Sequence, residues 1–336
     1  MTGVAADLRV IFLGTPEFAL PSLHTLAGAT TIAAVVTRPD RPAGRGRVLS
    51  APPVAVVARA MGFAVLQPES LRAASTLETM RGLHPDLLVT VAYGRIIPPP
   101  VLALPPRGCI NLHPSLLPAY RGASPIQRAI ADGATTTGVT IMYQTEELDA
   151  GDIILQREVG IGPEETAGEL EARLAEDGAA LLAEAVRLIA AGAAPRRPQD
   201  RTQATYAARL TKQDGVLRWG RPARDLVNQV RAMTPRPGAY TLWREGVLKV
   251  WRARAADAPD RSAAVAKPAG LPGQVLAADA SGITIAAGSG ALVLLEVQPE
   301  GGRRLRAADF LRGRRLEPGE QLGEAAGVDA GREVVE

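Results

Sequence analysis

Two side chains, Asn111 and His113, carry the clearest chemical signal in the sequence. They lie in the run Gly108-Cys109-Ile110-Asn111-Leu112-His113, whose alternation predicts a strand with polar groups on one side. Residues two apart on a strand share a face, so an amide donor stands beside a titratable base. Pro114 and Pro118 follow, and proline cannot extend a central ladder, so the strand should end at His113. A donor and a base side by side at a strand end read as a site. Taken alone, each also has a plainer reading, as a packed histidine and a turn-forming asparagine.

A strand end needs a sheet to hold it. Apolar runs at 8–14 (LRVIFLG), 31–37 (TIAAVVT), 63–67 (FAVLQ) and 86–92 (DLLVTVA) predict four strands before this one, with helical stretches between them. Such alternation predicts an α/β fold with a Rossmann-like, mostly parallel sheet and helices on both faces. Ligands of such sheets sit beyond the carboxyl ends of the strands. The first strand runs into GTPEFA, not G-x-G-x-x-G, which argues against a dinucleotide. Residues 124–133 predict a short helix. Residues 138–145 and 152–161 predict two strands around EELDAG, and 166–192 a long amphipathic helix closing an N-terminal domain of residues 1–192. Residues 193–204 have the proline and charge of a linker. From 205 to 320, a helix over 221–233 and five short strands predict a small C-terminal β-barrel of the OB type. Residues 321–336 are expected to be a loose tail.

Composition narrows the chemistry. The 336 residues are 46% apolar, enough for two packed cores. No run of about eighteen apolar residues is present to span a membrane, and the opening MTGVAADLRV lacks the regions of a signal peptide. His24, His84 and His113 are far apart, with no H-x-x-x-H or C-x-x-C pair, so no metal site is expected. The single cysteine, Cys109, rules out an internal disulfide and reads as core. Together these features predict a cytoplasmic chain, and a monomer, since no pairing segment stands out.

Charge is unevenly spread. Residues 1–194 hold 15 Lys+Arg and 19 Asp+Glu, a net −4; residues 195–336 hold 23 and 16, a net +7. A basic rear half suits a polyanion, although compositional drift would give the same balance. Arg209, Lys212, Arg218, Arg221, Arg224, Lys249, Arg252 and Arg254 are its candidates for a nucleic-acid backbone. Trp219, Trp243 and Trp251 read as core rather than as base-stacking platforms. In the front half, Arg38, Arg41, Arg45 and Arg47 lie among prolines and glycines just after a predicted strand. The segment should emerge on the same side as Asn111 and His113, either as a solvated loop or as a grip on phosphates.

Four segments carry a resemblance: TRPDRPAGRGR (37–47), VAYGRIIP (91–98), GCINLHPSLLPAYRGASPIQRAI (108–130) and GVTIMYQTEELDAGDII (138–154). With them the chain resembles the methionyl-tRNA formyltransferase family over nearly its whole length. The resemblance implies a formyltransferase fold, 10-formyltetrahydrofolate as donor and initiator methionyl-tRNA as acceptor. The family's catalytic Asn and His fall on Asn111 and His113, and its Asp on Asp149, which opens a D-x-G-D motif with Gly151 and Asp152. The folate-facing stretch falls on Ser115, Leu116, Leu117 and Pro118, with Ile96 and Leu148 added to it. Arg38, Arg41, Arg45, Arg47 and Lys212 fall to the tRNA.

On that reading an amine attacks a formyl carbon and an oxyanion develops. Asn111 can donate to the oxygen, and His113 can stabilise the same charge and supply a proton to the leaving nitrogen. Asp149 can hold the imidazole charged, since a nearby carboxylate favours that form. The H-P-S-L-L-P core alone leaves open a sugar amine or glycinamide ribonucleotide as acceptor, or water, as in a hydrolase. A non-catalytic RNA-binding protein would leave the three residues idle.

Overall fold

The computed structural model describes residues 7–43, 48–256 and 270–323. Alternate residues of its first strand, β1 (Arg9–Gly14), enter different cores: Val10 and Phe12 one, Ile11 and Leu13 the other. A strand buried on both faces needs cover on both faces. The cover comes from α1 (Leu20–Ala27), α2 (Pro53–Ala60), α3 (Ala74–Gly82), α4 (Pro99–Leu102), α5 (Pro125–Ala131) and α6 (Ala167–Ala190).

The other strands of the front half are β2 (Thr31–Val36), β3 (Arg41–Ala43), β4 (Val48–Ser50), β5 (Val65–Leu66), β6 (Leu87–Val91), β7 (Cys109–His113), β8 (Arg121–Gly122), β9 (Thr136–Tyr143) and β10 (Ile153–Gly160). The main sheet has the order β10-β9-β7-β6-β1-β2-β5. It is parallel from β7 to β5, and β9 and β10 are antiparallel additions. The carboxyl ends of β1, β2, β6 and β7 therefore share one edge. FAVLQ contributes only Val65 and Leu66, because an edge strand pairs on one side alone. The arginine segment is a hairpin where a loop was expected, with Arg41 opposite Ser50 and Ala43 opposite Val48. Its tip, with Arg45 and Arg47, lies outside the described residues.

α6 is built to approach the sheet closely. Thr166 and Glu169 form a reciprocal cap at its start. Gly178 faces Leu112, where a Cβ would come within 2.5 Å of the leucine side chain.

The rear half holds β11 (Tyr206–Ala207), α7 (Ala223–Met233), β12 (Ala239–Trp243), β13 (Gly246–Ala255), β14 (Val275–Asp279), β15 (Gly282–Ala286), β16 (Ala291–Pro299), β17 (Leu305–Arg306) and α8 (Ala307–Gly313). Its antiparallel sheet runs β12-β13-β16-β15-β14, with β17 added on β16. Two expectations need correction here. Residues 321–323 are not loose: Gly323 bridges to Leu242 on β12, Gln321 bridges to Gln274 beside β14, and Leu322 is buried between them. That short segment ties the two edge strands together. Residues 193–204 are also more than a spacer. Arg197 pairs with Ile153, Gln199 bonds into the loop before β10, and α7 packs on α5 so that one apolar core runs through both halves.

Candidate active site

β7 ends where the chemistry was expected. His113 is 4% exposed, and its Nε2 lies 2.9 Å from the Tyr120 carbonyl oxygen. Its Nδ1 faces Asp149 Oδ2 at 3.6 Å. Both ring nitrogens thus face acceptors, and only a ring protonated at both can donate to both. The Nδ1–Oδ2 gap is slightly longer than a hydrogen bond, so the imidazole and the carboxylate stand within ion-pair range without being bonded.

Asn111 is half-buried beside its neighbour on β6 in the parallel ladder, Thr90. The Thr90 hydroxyl lies 2.8 Å from Asn111 Oδ1 and 3.0 Å from Gln144 Oε1. With Oδ1 engaged in this way, the amide NH₂ is the part of Asn111 left to donate. Thr90 is 2% exposed, so it forms a fixed floor under the amide.

Asp149 reaches the pair by a detour. β9 runs antiparallel to β7, so its last residue, Tyr143, sits opposite Ile110, and Gln144 N–H donates to the Cys109 carbonyl. The loop from there to β10 must double back along β7 to meet His113. It does so through a tight passage at Gly151, where a Cβ would lie 1.7 Å from the Tyr143 carbonyl oxygen. Asp149 adopts a left-handed φ of 49°. Its carboxylate accepts from Gly122 N–H at 2.8 Å. Gly122 must itself be glycine: its φ is 115° and a Cβ would meet the Ala207 carbonyl oxygen at 2.8 Å.

The folate-facing candidates divide by exposure. Ser115 is fully buried and donates to the Ala119 carbonyl at 2.6 Å, and Leu117 packs on Met142 and Ile153. Leu116 and Pro118 are half-buried. Ile96 and Leu148 stand out at 76% and 56% exposed, unusual for large apolar side chains. Cys109 is buried in the sheet, and desolvation pushes its thiol up to about 12, so it takes no part at neutral pH. Among the described residues, no three His, Cys, Asp or Glu side chains are grouped to hold a metal.

Arg38 and Arg41 follow β2 at the same edge of the sheet. Burial, then the charges of Arg41, Arg95 and Arg209, push the Arg38 guanidinium below its usual range. Lys212 is exposed on a 3₁₀ turn (Lys212–Gly215) in the rear half. Sequence reading passed over Arg95, Thr90, Gly122 and Gln199. Arg95 is a lone arginine within VAYGRIIP (91–98), so no basic clustering marks it in the sequence. Thr90 could have been found from its place in the strand next to Asn111.

The chain matches the Formyl transferase family model over residues 8–186 and the Formyl transferase, C-terminal domain model over 209–315. A methionyl-tRNA formyltransferase of Syntrophus aciditrophicus is 46% identical over 95% of this chain and 100% of its own length. One of Moorella thermoacetica is 47% identical over 94% and 99%. The chain belongs to the methionyl-tRNA formyltransferase family. Solved structures share the formyltransferase fold at lower identity. HypX from Aquifex aeolicus in complex with tetrahydrofolic acid has a TM-score of 0.60 at 18% identity, covering 91% of this chain and 47% of its own. The sugar 3N-formyl transferase WlaRD has a TM-score of 0.63 at 15% identity, covering 85% and 97%. This formyltransferase therefore combines the expected mostly parallel sheet and an antiparallel C-terminal sheet domain. No helix among the described residues is long and apolar enough to cross a membrane.

Proposed function

We propose that the chain transfers the formyl group of 10-formyltetrahydrofolate to the α-amino group of methionine on initiator tRNA; its 46–47% identical relatives are named methionyl-tRNA formyltransferases. The observation that carries the reading is the meeting of Asp149 with His113 at 3.6 Å beside Asn111, across 36 residues of sequence.

Each of the three side chains then has a task. The amine attacks the formyl carbon, a C–N bond forms, and charge builds on the formyl oxygen. The free NH₂ of Asn111 donates to that oxygen; one such donor is typically worth about 10²–10³-fold in rate. His113 is held at Nε2 by the Tyr120 carbonyl, so Nδ1 is the nitrogen that faces the reaction. From there it steadies the charge and supplies a proton to the folate nitrogen as the old C–N bond breaks. Asp149 orients that ring and accepts the proton shed by the attacking amine. Ser115 and Leu117 shape the stretch before Pro118 from inside, while Leu116, Pro118, Ile96 and Leu148 offer apolar surface to the donor.

The acceptor is met by Arg38 and Arg41, by Arg95 and Arg209 beside Arg38, and by Lys212 from the rear half, and Arg45 and Arg47 of the same sequence segment are assigned to it as well. Burial, then the charges of Arg41, Arg95 and Arg209, crowd the Arg38 guanidinium, and an incoming phosphate would relieve that crowding. Arg41→Ala should raise the KM for tRNA and leave that for the folate unchanged.

The test is incubation with 10-formyltetrahydrofolate and methionyl-tRNA. Formyl-methionyl-tRNA is the expected product. Free formate with unmodified methionyl-tRNA would show a hydrolase and overturn the assignment.

A further inference from the structure

Asp149 sits in the left-handed region, which a non-glycine residue occupies only when its surroundings impose it. Both its carboxylate and its carbonyl are held from outside its loop. The amide of Gln199 donates through Nε2 to Asp149 O and Gly151 O, each at 2.8 Å. Its Oε1 accepts from Arg121 Nε at 3.2 Å and Nη2 at 2.8 Å. The residue after Arg121, Gly122, donates its N–H to Asp149 Oδ2 at 2.8 Å. The bonds close a ring: Asp149 carbonyl, Gln199, Arg121, Gly122, Asp149 carboxylate. Arg121 is 1% exposed, and its remaining side-chain partner is Glu147 at 3.4 Å, from the same loop. Gln199 lies in the segment that joins the two halves, far from every motif that names a catalytic group.

We propose that Gln199 is a positioning residue for the transfer reaction: its amide fixes the Asp149–Gly151 backbone so that the Asp149 carboxylate points at His113. The inference rests on the reading of Asp149 as a catalytic group. A competing role is purely structural, in which Gln199 only gives the buried Arg121 guanidinium an acceptor. The two roles use different ends of one amide, so one substitution separates them. Gln199→Glu keeps an oxygen for Arg121 but presents no N–H to the two carbonyls.

The measurement is steady-state formyl transfer to methionyl-tRNA by Gln199→Glu and Gln199→Ala, with both substrates varied. Single-turnover rates are then measured for each on the wild-type and Asp149→Ala backgrounds. A misplaced catalytic group of this kind typically costs up to about 10²-fold. Both variants are expected to lose about 10–100-fold in kcat, with each KM within about threefold of wild type. On the Asp149→Ala background the loss should vanish, because the group being positioned is gone. Where Gln199→Ala melts early, Gln199→Glu carries the same criteria. Wild-type kcat in Gln199→Glu, or an equal loss with and without Asp149, would overturn the proposal. A wild-type chain that forms no formyl-methionyl-tRNA would remove the functional reading itself, a failure distinct from either.

Discussion

Cys109, Asn111 and His113 alternate along one strand, yet only two of them can do chemistry in water at neutral pH. Burial pushes the Cys109 thiol up to about 12, so its thiolate is scarce below that. A thiol reagent at pH 8 should leave the native chain unmodified and label it once per chain in denaturant; rapid native labelling would contradict the burial. Gly151 is the opposite case, a residue with no functional group on which the site depends. An added methyl would lie 1.7 Å from the Tyr143 carbonyl, so Gly151→Ala must displace the loop that carries Asp149. Its formyl-transfer rate should fall by about 10²-fold or more, as when a catalytic group is misplaced. The Asn111–His113 pair was legible because a two-residue period and a following proline mark a strand end. Asp149 was legible only through the resemblance. Its loop leaves β9 at the far end of β7 and folds back, and no spacing rule encodes a reversal of that kind. Gln199 was invisible for a related reason: a glutamine in a Pro-rich segment has no periodicity to betray what its amide holds.

Among the elements, the sheet strands were readable from apolar runs and the long helix from its amphipathic pattern. The joins between halves were not, because the packing of α7 on α5 brings together distant segments and the polar contacts beside it are single residues without periodicity. One is Arg128 on α5 against Asp214 in the 3₁₀ turn, at 2.8 Å. Burial alone would raise the Asp214 carboxyl. Bonds from the Thr211 N–H and hydroxyl, together with the Arg128 guanidinium, outweigh that and hold it below the usual range. A carboxyl so depressed stabilises the fold above its unfolded pKa, and that contribution is lost as pH falls through the lower, folded value. Asp214→Asn should therefore cost about 1 kcal/mol at pH 7 and progressively less as pH falls below about 4. Thermal melts across that range check it; a deficit that grew on acidification would contradict the sign. Residues 321–323, the described start of the expected tail, were misread on their position near the terminus. Leu322 is their buried anchor, and the bridges from Gln321 and Gly323 join the two edges of the rear sheet. Truncation after Arg315, which removes Leu322 and both bridges, should lower the melting temperature by several degrees; an unchanged melting temperature would contradict their role.

At the scale of the whole chain, the basic excess of residues 195–336 and the arginines following β2 give a charge distribution suited to RNA. The sign and the half were readable from sequence; the gathering of Arg38, Arg41, Arg95 and Arg209 depends on which strands lie side by side, and so needed the fold. If these cations neutralise phosphates, the affinity for tRNA should fall linearly with salt on a log–log plot, while the KM for the folate changes far less. Equal salt sensitivity of both substrates would contradict that division. The central claim remains that Asn111, His113 and Asp149 act together on one carbon. Single-turnover formyl transfer at saturating donor and methionyl-tRNA tests it most directly in the three alanine variants. Each is expected to be at least about 10²-fold slower than wild type with tRNA affinity unchanged. A wild-type rate in any one of them would contradict the account.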